Sequence, residues 1–152
     1  MSRTTLNIPK TTFLNLSYIY NEILEARTAE VNNRELDHKK GREVNAKITF
    51  HYTDCYLRCK EIFEPSTYLL VEYYYDWYAG NGEILGKYHA HYHPNGTPAE
   101  ITQYDPWHWH VPKDLTDKEG ERQAGPIGYT IHDVLREQVL PHIMRLRRSG
   151  KN

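Results

Sequence analysis

Five of the nine histidines fall within 22 residues and keep a regular phase. His89, His91 and His93 occur in YHAHYH, and His108 and His110 occur in WHWH. Successive side chains of a strand point to opposite faces, so a spacing of two puts each group on one face. Imidazoles gathered in this way support two chemistries. Three ring nitrogens drawn from His89, His91, His93, His108 and His110 make a ligand set for a divalent transition metal such as Zn, with a position left open for water. Without a metal, the same rings act as general acid and base, or as cations beside a phosphoryl group. The simpler alternative is a sheet face on which His and Tyr stack across strands and do nothing more. A lone His would be read that way, whereas five in phase favour a functional face.

The surroundings suit this chemistry. Between Tyr68 and His110 lie all three Trp, eight of the Tyr and five of the His. The same window holds Lys87 as its one basic residue, against Glu72, Asp76, Glu83, Glu100 and Asp105, a fixed charge of −4 that five protonated His would turn to +1. Phosphate affinity at such a face would depend on pH. Glu61 shares a strand face with Leu57 and Cys59, where a charge needs a partner; a neighbouring His would satisfy it and have its ring fixed in return. An outward Glu on an edge strand is the bland alternative. Glu72 and Asp76 read as solvated positions. Cys59 is four residues from Cys55 with no electropositive helix start nearby, so a reactive thiolate is not expected.

These side chains need a sheet to carry them. Residues 1–10 read as an irregular lead-in, and Thr11 and Thr12 are acceptable N-caps. Phe13, Leu16, Ile19/Tyr20 and Ile23/Leu24 recur at steps of three and four, predicting a helix over 13–29. The polar stretch 32–42 reads as a solvated connection. Val44, Ala46, Ile48 and Phe50 then alternate with polar residues, as in a half-buried strand. Strands follow at 56–63 and 67–78, the second with Leu69, Val71, Tyr73, Tyr75 and Trp77 on one face. Gly80-Asn81-Gly82 marks a hairpin turn, and 84–93 and 107–111 complete a meander of four to five strands. Tyr88, Ala90, Tyr92, Trp107 and Trp109 would face the core, opposite the His. Both His groups share a side only if the turn at 94–106 preserves register, since a one-residue slip reverses every side chain. The 17 residues from Pro112 to Gly128 form a long polar loop, expected to be mobile until a partner orders it. Thr130 with Asp133 resembles a capping box and opens a helix over 130–147, with Pro141 a kink. The expected fold is α+β, an antiparallel meander flanked by an N-terminal and a C-terminal helix, in one domain over 1–152.

Composition narrows the classes further. Of 152 residues, 39% are hydrophobic and 26% charged, which is a globular balance. The formal charge is −1, so chain-wide polyanion binding is not expected, and strong autonomous RNA binding would need more Lys and Arg. The basic tail ending at 148–152 reads as a solvated end. No apolar run is long enough to span a membrane, and no signal-type segment follows Met1. Two cysteines are too few for a disulfide framework, so a cytoplasmic location is expected.

The segments TDCYLRCKE (53–61), YYYDWYAGNGEILGKYH (73–89), HPNGTPAEIT (93–102), DPWHWHV (105–111) and IHDVL (131–135) together resemble the TumE-type toxin component of prokaryotic toxin–antitoxin modules. Their order covers most of residues 44–146. The resemblance implies a toxin with a cognate antitoxin as partner, acting on RNA or another nucleic acid. It places Glu61, Lys87, His93, His108 and His110 at the family's polar positions, as nuclease-like catalytic candidates. The chain departs at Asp76, where the family tends to have a His, at His89-Ala90, which replaces an Asp-Asn, and at Trp107, which replaces the first His of a paired run. The residues alone leave two rivals: a metal-dependent enzyme with a multi-His site, and a non-catalytic domain that binds a protein through its aromatic strands.

Overall fold

Period-two alternation governs more of the chain than the sequence suggests. The computed structural model describes residues 5–36, 39–93, 96–112 and 121–148. Seven strands, β1 (Leu24–Leu36), β2 (Lys39–Phe50), β3 (Thr53–Phe63), β4 (Leu70–Tyr78), β5 (Ile84–Ala90), β6 (Trp107–Val111) and β7 (Glu121–Ala124), lie side by side in chain order. Every neighbouring pair is antiparallel. The class is α+β as expected, but the sheet has seven strands rather than four to five.

The extra strands come from segments read otherwise. Helix α1 spans only Phe13–Ile19, and a turn over Tyr20–Ile23 sends the chain into β1. Leu24 and Ala26 are buried and Glu25 and Arg27 are not, so residues 24–27 obey the strand period although Ile23/Leu24 also fit the helical one. Residues 32–36 and 39–42, expected as a solvated connection, extend β1 and β2 against each other. The described part of the lead-in has no regular element beyond an isolated bridge from Pro9 to Leu69, but it is held in place. Backbone bonds from Leu6 N to the Leu70 carbonyl (2.7 Å), from Leu70 N to Ile8 and from Lys10 N to Tyr68 tie residues 6–10 to the start of β4. Within the expected 112–128 loop, residues 121–124 form β7 against β6; residues 113–120, on which much of the mobile-loop expectation fell, lie outside the described residues, as does the tail beyond 148.

One face of the sheet carries the core. Leu57, Tyr73, Tyr75, Trp77 and Tyr88 pack there against Phe13 and Leu16 of α1 and against the C-terminal helix. That helix opens at α3 (Ile131–Asp133; α2, Ala99–Thr102, lies between β5 and β6), widens to a π-helical stretch (Val134–Val139) and continues as α4 (Leu140–Arg148). The Thr130–Asp133 capping box closes its start reciprocally. Pro141 cannot donate to the carbonyl four residues back, and the wider π turn lies immediately before it.

The face assignment for β4 needs one correction. Phe63 pairs with Leu70 and Ile62 with Glu72, so Val71 is an inserted residue of a bulge. Leu70 therefore joins Tyr73 in the core, while Val71 packs with Ile62 in a separate small cluster. Tyr92 lies past the end of β5 and is exposed rather than in the core. No helix among the described residues is long and apolar enough to cross a membrane.

Candidate functional site

Residues directly opposite each other in antiparallel strands share a face, so the register specifies what the uncovered side of the sheet presents. One row reads Asn45, Lys60, Tyr74, His89, His108, and the next reads Lys47, Arg58, Asp76, Lys87, His110, Arg122. The turn between β5 and β6 preserves register, because His89 stands opposite His108 and Lys87 opposite His110. It includes the short helix α2 (Ala99–Thr102), whose Ile101 carbonyl accepts from Arg122 Nη1 at 3.1 Å.

The imidazoles meet around His108. Its ring centroid lies 5.5 Å from His89, 4.7 Å from His91, 5.8 Å from His93 and 5.3 Å from His110. His108 is only 1% exposed. Its Nδ1 lies 3.2 Å from the Pro106 carbonyl, which can only accept, so Nδ1 carries the proton and Nε2 keeps its lone pair. That buried Nε2 has no hydrogen-bond partner among the described residues. One ring nitrogen from each of His89, His91 and His108 lies within 4.8 Å of the others, so these three can hold a metal ion.

Two carboxylates orient the flanking rings. Asp76 Oδ1 accepts from His89 Nε2 at 2.7 Å, and Asp105 Oδ1 accepts from His93 Nδ1 at 2.7 Å while its Oδ2 accepts from the His93 backbone N–H. His91 stacks on Tyr74 with centroids 4.9 Å apart. Burial, and then the neighbouring imidazoles, push His108 down to about 3 and His91 to about 4. His110 is held at about 4 by burial, His89, Arg122 and Lys87. These three rings are neutral near pH 7, with lone pairs available.

The aromatic and basic side chains continue from the cluster across the sheet. Lys60 Nζ sits 4.5 Å over the Tyr74 ring, Lys47 Nζ 4.7 Å over Tyr56, and Tyr56 stacks on Tyr78 at 5.4 Å. Asn45, Lys47, Arg58, Lys60, Tyr74 and Asp76 line a shallow hollow of about 430 Å³. Lys47, Arg58, Lys60, Lys87 and Arg122 share this face with Glu43, Glu72 and Asp76, and Glu25 and Arg27 continue it on β1.

Glu61 does not join them. It pairs with Tyr73 on the core side, is 0% exposed, and accepts from the Thr11 N–H (2.8 Å), the Thr11 hydroxyl and the Tyr75 hydroxyl. Burial raises its pKa, opposed by the Thr11 and Tyr75 hydrogen bonds. The expected ring-orienting role belongs instead to Asp76 and Asp105. Asp76 is two residues in phase from Tyr74 on the His face, and that pairing is the signal by which it can be found. Arg122 was hidden inside the apparent loop. Comparison with protein-family models, curated proteins and solved structures finds no match to this chain.

Proposed function

We propose that the protein cleaves single-stranded RNA on the open face of its sheet, with the His cluster as the reaction centre. The observation that carries this reading is the row Lys60, Tyr74, His89, His108, which runs a cation, a stacking ring and two imidazoles across adjacent strands. Single-stranded nucleic acids are held by a basic track interleaved with aromatic rings on which bases stack. Lys47 and Arg58 beside Tyr56 and Tyr78 repeat that combination one row away.

At the cluster, His93 is the base. Asp105 fixes its Nδ1–H, which leaves Nε2 to take the proton of a ribose 2′-hydroxyl. The 2′ oxygen attacks the adjacent phosphorus, the bond to the 5′ oxygen breaks, and the departing oxygen takes a proton from water. Arg122, whose charge acts on the His108 ring, offsets the charge that develops on the phosphoryl oxygens. The resemblance to TumE-type toxins adds a context: a cytoplasmic toxin neutralised by a cognate antitoxin that covers this face.

The test is incubation of the full chain with a single-stranded RNA, with products separated by length and their ends identified. Cleavage leaving 2′,3′-cyclic phosphate ends, lost in His93→Ala, supports the reading. Binding of a partner protein through Tyr56, Tyr74 and Tyr78, with RNA left intact, would replace it by a non-catalytic interaction domain.

A further inference from the structure

We propose that His89, His91 and His108 bind one divalent transition-metal ion of the zinc class. The inference goes beyond RNA cleavage and does not depend on it. Ligand nitrogens at 2.0–2.1 Å from a tetrahedral ion stand about 3.3 Å from one another. The three nitrogens here all lie within 4.8 Å of one another, so binding draws them together by at most about 1.5 Å.

Three features distinguish this group from histidines packed for stacking alone. The first is the Nε2 of His108, a buried acceptor with nothing to accept from, in a residue 1% exposed. A ring packed only for its apolar surface would be better replaced by Phe, since an unmatched buried polar atom opposes folding. The second is that one nitrogen in each of two rings is already committed, His108 Nδ1 to the Pro106 carbonyl and His89 Nε2 to Asp76, which leaves His108 Nε2 and His89 Nδ1 for a ligand. Metal-binding imidazoles characteristically donate their second N–H to a carbonyl or carboxylate, which fixes tautomer and ring orientation. The third is the lining. His91 is positioned by stacking on Tyr74, and His93 borders the remaining side with its ring 4.7 Å from that of His91.

The donor set selects the class of ion. Three imidazoles suit zinc, cobalt, nickel or copper, whereas magnesium and calcium require oxygen ligands. Three protein ligands also leave a fourth position for water or substrate, as in catalytic rather than structural zinc sites.

The experiment uses the full chain without a purification tag, treated with EDTA and then dialysed free of it. Zinc chloride is titrated calorimetrically, and cobalt(II) is titrated in parallel while visible absorbance is followed. The expected result is one equivalent of zinc, the intense d–d bands of tetrahedral cobalt, and no heat from magnesium. His108→Phe should abolish both signals, and His51→Ala should change neither. Asp76→Asn should weaken zinc binding by about 10–100-fold, as loss of an outer-shell partner does. Should His108→Phe fail to fold, His91→Gln at a half-buried position asks the same question. No saturable zinc binding by the wild-type chain, or unchanged binding in His91→Gln and His108→Phe, overturns the site. Zinc binding without RNA cleavage leaves the metal site standing and removes the cleavage reading; cleavage in EDTA by a chain that never binds zinc does the reverse.

Discussion

Glu61 and His108 are both buried titratable groups, one under each face of the same sheet, and their surroundings differ in kind. Glu61 faces the helices and has three donors from Thr11 and Tyr75. It therefore joins the N-terminal segment to the middle of the sheet, and each of its two oxygens already has a donor. His108 faces the open side, is held by one carbonyl, and keeps an unmatched Nε2 at the centre of four other imidazoles. A buried polar group with all its partners is a structural element, while an orphaned atom that lies among other metal-ligating side chains is placed to take a ligand. By that criterion the two groups exchange the roles that their residue types suggest: the carboxylate builds the fold and the imidazole serves the site.

The comparison breaks most visibly in activity. His93→Ala should lower RNA cleavage by about 10²–10⁴-fold, the usual contribution of a positioned general base, whereas Glu61→Gln should leave the rate per folded molecule within a few-fold. Initial rates normalised to the folded fraction measure both. Stability should show the opposite order. Glu61→Ala leaves the Thr11 N–H and the Tyr75 hydroxyl unmatched and opens a cavity, so it should cost about 2–4 kcal/mol. His108→Phe, which removes an orphaned atom and keeps a planar ring, should be within about 1 kcal/mol of wild type in the absence of metal. Urea unfolding of the metal-free chain separates the two cases.

Proton linkage sharpens the contrast by sign. Glu61 has a raised pKa in the folded state, so its proton is bound more tightly there than in the unfolded chain. Its contribution is complete below the unfolded value of about 4.5 and is lost as pH rises through the folded pKa. His91, His108 and His110 are depressed to about 4, 3 and 4. Their contribution is complete above an unfolded value of about 6.5 and is lost as pH falls towards those folded values. Between pH 7 and 4.5, Glu61→Gln should therefore steepen the loss of stability on acidification, and His108→Phe should reduce it. Unfolding curves of metal-free protein at several pH values give both slopes; equal slopes in the two variants would remove the distinction between the faces. The smallest effect belongs to the basic track. Lys60→Ala should weaken RNA binding a few-fold and lower the salt dependence of log K by about 1, as loss of one phosphate contact does.

What the sequence reveals depends on whether local period and tertiary pairing agree. The alternation Val44, Ala46, Ile48, Phe50 has one interpretation, and all four residues are buried. The phase of each His group likewise puts its members on one face, but only the register across the turn at 94–106 brings the two groups to the same side. Ile23 and Leu24 fit two periods at once, and pairing with β2 decides for the strand beyond Tyr20. β7 is only Glu121–Ala124; ERQA has no apolar alternation, and its strand form comes from β6 alongside it. The bulge at Val71 is likewise invisible in the sequence, since both Val71 and Leu70 are apolar and either can face the core. Glu61 was correctly placed with Leu57 and Cys59 on one face, but the sequence did not show that this face lies opposite the histidines. That relation follows from Glu61 pairing with Tyr73, and Tyr73 with Ala90 rather than His89.

The most direct measurement of the central claim, that His108 presents a free nitrogen to a ligand, is a long-range ¹H–¹⁵N correlation spectrum of the histidine rings. In metal-free protein at neutral pH, His108 should be the neutral tautomer protonated at Nδ1, with the ¹⁵N shift of an unbonded acceptor at Nε2. One equivalent of zinc should then move that Nε2 resonance, together with one nitrogen each of His89 and His91. A protonated Nε2 in the metal-free chain, or a zinc-insensitive His108, would contradict the account.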